Sequence, residues 1–409
     1  MRFIYVFIAL VLWSCSRNNK VQQQEVLGYN VPPLLHLSND SLTEIEVNLS
    51  NMLSSIRTSE IIDSIWWVPL ETTENSTFGV VQQVEFYDGK IFILDNIMAS
   101  GLFVFDSLGK HLYTIDTHGK GPGEFYQPTS FTINREKNEI VISDDWQGKL
   151  LSYDLTGNFL KEITKFSLRF NEMQFIDTNK IIFHTGRRAN GHILELKYNS
   201  IVIGTPGGDF TAKNFAYDPS QQLKHGSKSF FRHNDELYFH YPFRDTVYQV
   251  DAQRIVPQYV INLGENKLPI DFELGLDARG FSKKYENKKS SYAYTSPMGF
   301  FISDHHIYHE IVYKRRRVFV YYSKDSGKVR FTDNLITDLP QTVLFGAYCG
   351  GYGDVMVNFV PPEVTIQANE YFSKNPKDAA SVSPATLSLI KEMSSNAMPM
   401  LVCYTLKRF

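Results

Sequence analysis

The amino-acid sequence predicts an all-β fold, a six-bladed β-propeller whose blades are four-stranded antiparallel sheets. Three observations predict this fold class: an internal repeat of short strands, turn signals at matching places in each copy, and many aromatic residues. Aromatic residues make up 14% of the 409-residue chain, with 23 Tyr and 30 Phe, and aromatic side chains favour strands over helices. Short strand units that recur along a chain are the sequence signature of a propeller.

The repeat is clearest between two stretches in the first half of the sequence. Each copy contains a strand, a loop that opens with Asp, a second strand, a turn of the form Asp-x-x-Gly and a third strand. Asp can accept a hydrogen bond from the backbone two residues on, and Gly tolerates the positive φ at which a hairpin closes. The aligned pairs are Ile91–Asp95 with Ile140–Asp144, Leu102–Lys110 with Leu151–Asn158, and Leu112–Ile115 with Leu160–Ile163.

Weaker copies bring the expected number of blades to six. They comprise Asn179–His184, Asp235–His240 with Asp245–Asp251, His306–Tyr308 with Val318–Tyr322, and Phe345–Phe359 with Met400–Tyr404. Because repeat units of ~40–50 residues leave part of this chain unused, we expect insertions. The polar segments Phe210–Ser229 and Glu265–Gly299 are predicted to be loops, and a helix is predicted within Ser383–Ser394.

The two ends of the propeller are expected to share one blade. Ile61–Leu70 and Met400–Leu406 are apolar strands at opposite ends of the body, and each lacks a full set of local partners. An exposed sheet edge invites aggregation. We therefore expect Ile61–Leu70 to supply a strand to the blade that contains Met400–Leu406.

The N-terminus predicts export and a lipid anchor. Phe3–Trp13 is an unbroken apolar run after Arg2, shorter than the ~20 residues that span a bilayer and typical of a secretory signal peptide. Leu12-Trp13-Ser14-Cys15 resembles the lipobox read by the bacterial lipoprotein signal peptidase, which implies that Cys15 becomes the lipidated N-terminus. The predicted organisation is a signal peptide over residues 1–14, a flexible tether over residues 15–40 and the propeller over residues 41–409.

The expected location is the cell envelope, on the periplasmic face of the outer membrane. Ser16 stands where some bacteria place the aspartate that retains lipoproteins in the inner membrane. The acidic cluster that follows the cysteine in many surface-exported lipoproteins is absent from the sequence. Several acyl chains on one cysteine hold stably, so the membrane is an expected partner through Cys15.

Charge and cysteine content narrow the remaining partners. The formal net charge is −3, from 41 basic and 44 acidic residues, and nucleic acid is not an expected partner because phosphate neutralisation needs a basic surface. Besides Cys15 the chain contains Cys349 and Cys403. Outside the cytoplasm these two could form a disulfide or remain free thiols.

Two segments resemble a known family. Gly119–Pro128 with Phe131–Ile133 and Ile140–Asp144 is similar to an NHL repeat. Together with Asp63–Thr72, the Gly-Pro-Gly-Glu-Phe loop resembles the six-bladed β-propeller lipoproteins of the Bacteroidota, which implies the same fold and assigns no activity. The loop lacks the lysine and hydroxyl of a phosphate-binding P-loop and opens no helix. We interpret it as a turn between blades that needs glycine torsions.

Candidate binding residues come from equivalent strand ends of the repeat. Propellers bind ligands at one end of the central channel, on loops that follow the innermost strands, and we take the repeated strand ends to lie there. Carboxylates and imidazoles from several blades could hold Ca²⁺ or Zn²⁺, although a repeated Asp after a strand usually caps its own turn. The binding candidates are Asp144, Asp145, Trp146, His184, Arg187, His240 and Arg244, and the candidate metal ligands are Asp95, Asp144, His184 and His240.

The sequence leaves two classes of function open. The favoured hypothesis is an envelope lipoprotein that binds a small-molecule or protein ligand, or acts as a scaffold. The alternative is a metal-dependent hydrolase or lyase, similar to the lactonases and amidating lyases built on related propellers. No catalytic residue is predicted, because neither a Gly-x-Ser-x-Gly elbow nor a supported Cys–His pair is present.

Overall fold

The computed structural model describes residues 31–38, 42–221, 223, 228–241, 243–287, 291–380 and 382–409. The predicted signal peptide, Cys15 and most of the predicted tether lie outside these residues. Within them, strands form six blades of four antiparallel strands each, which confirms the six-bladed propeller. No helix in the described ranges is long and apolar enough to cross a membrane.

The blades are numbered in chain order, and the strands of each blade are given from the axis outward. The first strands of the blades adjoin one another around the axis. The strands are Gln83–Tyr87, Lys90–Asp95, Gly101–Asp106 and His111–Ile115 in blade 1; Ser130–Asn134, Glu139–Asp144, Lys149–Asp154 and Phe159–Ile163 in blade 2; Glu172–Phe175, Ile181–His184, Asn199–Gly204 and Phe210–Ala216 in blade 3; Phe230–His233, Glu236–His240, Thr246–Val250 and Arg254–Asn262 in blade 4; Ala293–Ile302, His306–Tyr313, Arg316–Ser323 and Val329–Thr332 in blade 5; and Ala347–Tyr352, Val355–Val360, Met400–Leu406 and Ile62–Pro69 in blade 6.

The hydrophobic core lies between neighbouring blades. Between blades 1 and 2, for example, Phe92, Phe131 and Ile142 are fully buried in one cluster. The second strands are apolar on both faces because each packs against a blade on either side. A Phe→Ala substitution in such a layer typically costs about 3–5 kcal/mol, so these layers fix the spacing of the first strands around the axis.

Ring closure follows the predicted pairing. Ile62–Pro69 is the outermost strand of blade 6 and pairs antiparallel with Met400–Leu406, with Trp67 opposite Val402. One blade therefore contains strands from both ends of the propeller. Their pairing covers one edge of each strand that would otherwise be open.

The chain before ring closure runs along the outer edges of blades 4 and 5. Leu35–His36, inside the predicted tether, and Thr43–Glu46 each pair in parallel with Arg254–Asn262 of blade 4. Ile56–Arg57 then pairs with Leu335–Ile336, which follows blade 5. These added strands cover edges that would otherwise be open.

The two predicted loop insertions are partly wrong. Phe210–Ala216 is the outermost strand of blade 3, and Ala293–Ile302 is the first strand of blade 5. Phe210–Ala216 contains polar residues because an outermost strand faces solvent, and Ala293–Ile302 begins only near the C-terminal end of the predicted loop. The predicted helix is confirmed as Pro384–Ser395, where the Ser383 hydroxyl accepts the N–H of Thr386 as an N-cap.

The remaining helices lie outside the repeat. Pro362–Lys374 packs beside Pro384–Ser395 on blade 6, and both contribute to one apolar cluster with Met400 and Val402. The α-helices are Thr58–Ile61, Ala278–Asn287, Pro362–Lys374, Pro376–Ala379 and Pro384–Ser395, and short 3₁₀ helices span Leu49–Asn51, Gly264–Asn266 and Pro340–Val343.

One assumption behind the candidate site is wrong. The strand that opens the recognisable repeat, such as Lys90–Asp95 or Glu139–Asp144, is the second strand of its blade and not the innermost one. The innermost strands Gln83–Tyr87 and Ser130–Asn134 have dissimilar sequences, because their side chains meet different neighbours in the channel. Asp95 and Asp144 are therefore the last residues of the second strands, at the end of the ring where the first strands begin.

Candidate functional site

The repeated aspartates cap turns, which is the usual role of a repeated Asp after a strand. The Asp144 carboxylate accepts the N–H groups of Tyr126 at 2.6 Å, Trp146 at 2.9 Å and Gln147 at 3.1 Å. Asp95 accepts four N–H groups in the same way. Burial would raise the pKa of Asp95, but these donors hold it below its ordinary value. Both carboxylates are therefore committed to the backbone.

The predicted metal ligands do not converge. Across the described ranges, no group of three or more His, Cys, Asp or Glu side chains is placed to hold a metal ion. His184 and His240 are buried, and burial lowers their pKa values to about 3 and about 4. Both imidazoles are thus neutral at physiological pH.

The other candidates lie in two places. Asp145 pairs with Arg188, which links blades 2 and 3. Trp146 is 80% exposed, and its indole N–H donates to Gln127 at 3.2 Å.

Arg187 and Arg244 meet around Glu273, a residue of the insertion between blades 4 and 5. Arg187 donates to both oxygens of Glu273 at 2.7 and 3.0 Å, and Arg244 donates to Oε1 at 3.0 Å. The Arg187 and Glu273 side chains are 1% and 2% exposed. His240 Nε2 lies 2.8 Å from the Arg244 carbonyl oxygen and 3.1 Å from Thr295 Oγ1. These hydrogen bonds join the insertion to loops of blades 3 and 4.

The Gly-Pro-Gly loop is a turn between blades 1 and 2, as predicted. The Glu124 carboxylate accepts the Gly121 N–H at 2.7 Å, and Lys149 donates to the Gly121 carbonyl at 2.9 Å. At Gly119, with φ +155°, a Cβ would lie 2.0 Å from Glu124 Oε2. The loop is folded around its own carboxylate, which leaves no phosphate cradle.

The main candidate site is a cavity of about 260 Å³ on the propeller axis. The first strands of blades 1, 3, 4, 5 and 6 line it, together with Arg135, which follows the first strand of blade 2. We call this space the axial cavity. Its polar and charged lining residues include Gln83, Glu85, Arg135, Glu172, Gln174, Lys228 and Arg232.

Glu85 is the central carboxylate of the axial cavity. Its Oε1 accepts the amide N–H groups of Gln174 at 2.8 Å and Gln83 at 3.2 Å. Gln83 is in turn held by the Phe131 carbonyl at 2.7 Å and by the Ser130 hydroxyl at 3.0 Å. Burial raises the pKa of Glu85, and Arg135 opposes that rise. The carboxylate is therefore positioned by amides that are themselves fixed.

Two arginines share the axial cavity with Glu85 without closing onto it. Arg135 lies over the Tyr87 ring at 5.0 Å and donates weakly to the Phe86 carbonyl at 3.5 Å. Arg232 donates to the carbonyls of Phe175 and Asp235. Neither arginine forms an ion pair with Glu85 within 4.0 Å. Burial lowers the pKa of Arg232, and Arg135 adds to that effect.

A second carboxyl, Glu172, lies in the axial cavity at the start of the first strand of blade 3. It is 3% exposed, and its Oε2 accepts the Ser229 N–H at 2.7 Å. Burial raises its pKa to about 7, against the effect of backbone donors at residues 228–230. Glu172 therefore changes its charge near neutral pH.

The blade 6 wall of the axial cavity contains glycines between Cys349 and Tyr352. A Cβ at Gly350 would lie 2.8 Å from Val84, and one at Gly351 would lie 2.6 Å from the Val355 carbonyl oxygen. Cys349 and Cys403 are both free and buried, and burial raises the pKa of each thiol to about 12. The glycines keep the cavity open, and the thiols are unreactive at neutral pH.

The sequence of this chain matches a known protein family. A family model described as a domain of unknown function, DUF4934, matches residues 42–405. The chain belongs to the DUF4934 family. No curated protein matches it.

A solved structure shows the same fold. The DUF4934 chain is similar to a protein described as exported, from Bacteroides fragilis NCTC 9343, with a TM-score of 0.68 and 17% identity over 89% of this chain and 100% of that one. It is also similar to a member of the DUF4221 family from Bacteroides vulgatus, with a TM-score of 0.48 and 10% identity over 86% of this chain and 99% of that one. At 17% identity, the likeness to the Bacteroides fragilis protein shows the fold alone.

The sequence reasoning missed the axial cavity of this DUF4934 chain. None of its charged residues lies in the part of the repeat that aligns, because the aligned part begins at the second strand. One signal was available: Cys349-Gly350-Gly351-Tyr352-Gly353 places glycines inside a strand, which indicates a close approach or an open space.

Proposed function

We propose that the protein is an envelope binding protein that holds a small polar ligand in the axial cavity. The observation that carries this proposal is the arrangement of Glu85, Arg135 and Arg232 around one cavity without an ion pair to Glu85 within 4.0 Å. Glu85 and Arg232 are half-buried and Arg135 is exposed, and charges that are withdrawn from water are normally paired because desolvation is costly. Charges that face a cavity without pairing are available to a ligand.

The size and lining of the axial cavity suit a small molecule. Its volume of about 260 Å³ is close to the lower end of the ~300–1,000 Å³ found for small-molecule sites. Phe86, Phe231 and Phe300 contribute apolar surface beside the charged groups. An apolar wall with a few fixed polar groups is the usual composition of such a site.

Binding is favoured over the metal-dependent hydrolase or lyase. The described residues hold no convergent set of metal ligands, and the repeated Asp95 and Asp144 are committed to turns. Glu85 is held rigidly by Gln83 and Gln174, which suits recognition.

Ligand screening tests the binding proposal. Saturation-transfer NMR with a library of small polar anions, cations and neutral compounds should yield compounds that bind the wild type and bind Glu85→Ala at least about tenfold more weakly. Glu60→Ala, which removes a carboxylate paired with Arg330 of the outermost strand of blade 5, is the matched control and should bind like the wild type. A library without binders, or binders that ignore Glu85→Ala, would contradict the proposal.

The envelope location rests on the N-terminal sequence and on the exported Bacteroides structure of similar fold. We propose that Cys15 carries the lipid anchor in the outer membrane, with the propeller in the periplasm. Cys15→Ala should move the protein out of the membrane fraction or leave the signal peptide uncleaved. Membrane association that is unchanged in this variant would refute the anchor.

A further inference from the structure

The charges around the axial cavity favour an anion. Arg135, Arg232 and Lys228 contribute positive charge to its lining, and Glu85 and Glu172 contribute negative charge. Because burial raises the pKa of Glu172 to about 7, that side chain is partly neutral at physiological pH. The lining therefore has a positive excess, which suits a monoanion better than a neutral compound or a zwitterion.

The two guanidinium groups have hydrogen-bonding capacity to spare. Arginine has five N–H donors in a planar fork. Arg135 donates to the Phe86 carbonyl, and Arg232 donates to the Phe175 and Asp235 carbonyls. The remaining donors have no acceptor among the described residues, and guanidinium groups bind carboxylates in a bidentate geometry.

Glu85 supplies the complementary group. Its Oε1 accepts from Gln83 and Gln174, whereas its Oε2 has no donor among the described residues. A carboxylate oxygen held in this way accepts a hydrogen bond from a hydroxyl group. It would repel a second carboxylate placed directly against it, so the anionic group belongs on the arginine side.

We propose that the axial cavity takes a small hydroxy acid, with its carboxylate on Arg135 and Arg232 and a hydroxyl group donating to Glu85. This inference rests on the proposed function, and it adds the chemical class of the ligand. The cavity volume of about 260 Å³ limits the ligand to a single small molecule.

Three matched pairs of compounds test the class of ligand by isothermal titration calorimetry. Lactate is compared with propane-1,2-diol, gluconate with sorbitol, and glucuronate with glucose, so each pair differs chiefly in its carboxylate. At least one acid should bind the wild type, and its neutral partner should bind at least about tenfold more weakly. Arg232→Gln should weaken the acid by a similar factor. Arg254→Gln, which removes an exposed arginine of the outermost strand of the same blade, should not.

Each contrary outcome separates this inference from the proposed function. Neutral partners that bind as tightly as the acids would overturn the anion class and leave the cavity a binding site. Failure of all six compounds to bind the wild type would overturn the hydroxy-acid class, while the broader library decides whether the cavity binds anything. If Arg232→Gln does not fold, salt dependence in the wild type decides: binding of the acid should weaken as ionic strength rises, and binding that is independent of salt would overturn the inference.

Discussion

Two regions of this propeller place two arginines near one glutamate, and they use these charges in opposite ways. In the network around Glu273, Arg187 and Arg244 donate directly to the carboxylate at 2.7–3.0 Å. In the axial cavity, Arg135 and Arg232 share a space with Glu85 but form no ion pair with it within 4.0 Å. The first arrangement satisfies its charges internally and stabilises the insertion. The second leaves capacity for a ligand, so the residues that matter for stability and for binding should be separable.

The largest effect is expected from opening the ring on which both regions depend. Deleting residues 400–409 removes the partner of Ile62–Pro69 and of Val355–Val360 in blade 6. Soluble, cooperative folding should be lost, because two apolar strands become open edges. Circular dichroism melting checks this outcome, with deletion of Arg408 and Phe409 as the control that keeps the closing strand. An unchanged melting transition after the full deletion would contradict the closure.

The next largest effect is expected at Glu273. Glu273→Ala leaves the Arg187 guanidinium buried without its carboxylate, and breaking a buried pair in this way typically costs about 3–5 kcal/mol. Chemical denaturation should show that loss, whereas Glu265→Ala, at an exposed site of the same insertion, should have a small effect. Equal stability of the two variants would mean that the Glu273 network does not stabilise the fold.

The repeat and its turns could be predicted from the sequence, whereas the residues of the axial cavity could not. Strands such as Ile140–Asp144 are apolar because blades pack on both sides, and this local rule made the repeat and the turn caps at Asp95 and Asp144 predictable. Glu85 and Arg232 are distant in sequence and come together only when the ring is closed. Their positions depend on the innermost strands, which share no pattern because each side chain meets different neighbours across the channel.

A pH-dependent effect is expected at Glu172, within the axial cavity. Since its pKa is raised to about 7 from the ordinary value of 4.5, its contribution to stability is present below pH 4.5 and is lost as the pH rises through 7. Relative to the wild type, Glu172→Gln should gain on the order of 3 kcal/mol in unfolding free energy between pH 4.5 and 8. Denaturation at a series of pH values measures this difference, with the exposed Glu44→Gln as control. A difference that does not change with pH would contradict the raised pKa.

The smallest effect is expected at Trp146, which lies outside both regions. The side chain is 80% exposed and its described hydrogen bond is to Gln127, so Trp146→Ala should change the free energy of unfolding by no more than about 0.5 kcal/mol. Its side chain is not among those that line the axial cavity, so the affinity of any ligand bound there should be unchanged. Calorimetric titration of the variant with a ligand identified on the wild type measures this, and Arg232→Gln, with its expected loss of affinity, shows that a real change is detectable. A large loss of affinity in Trp146→Ala would place recognition on the loop surface around Trp146, where exposed tryptophans commonly dominate protein interfaces, and would remove the axial cavity from consideration as the site of that ligand.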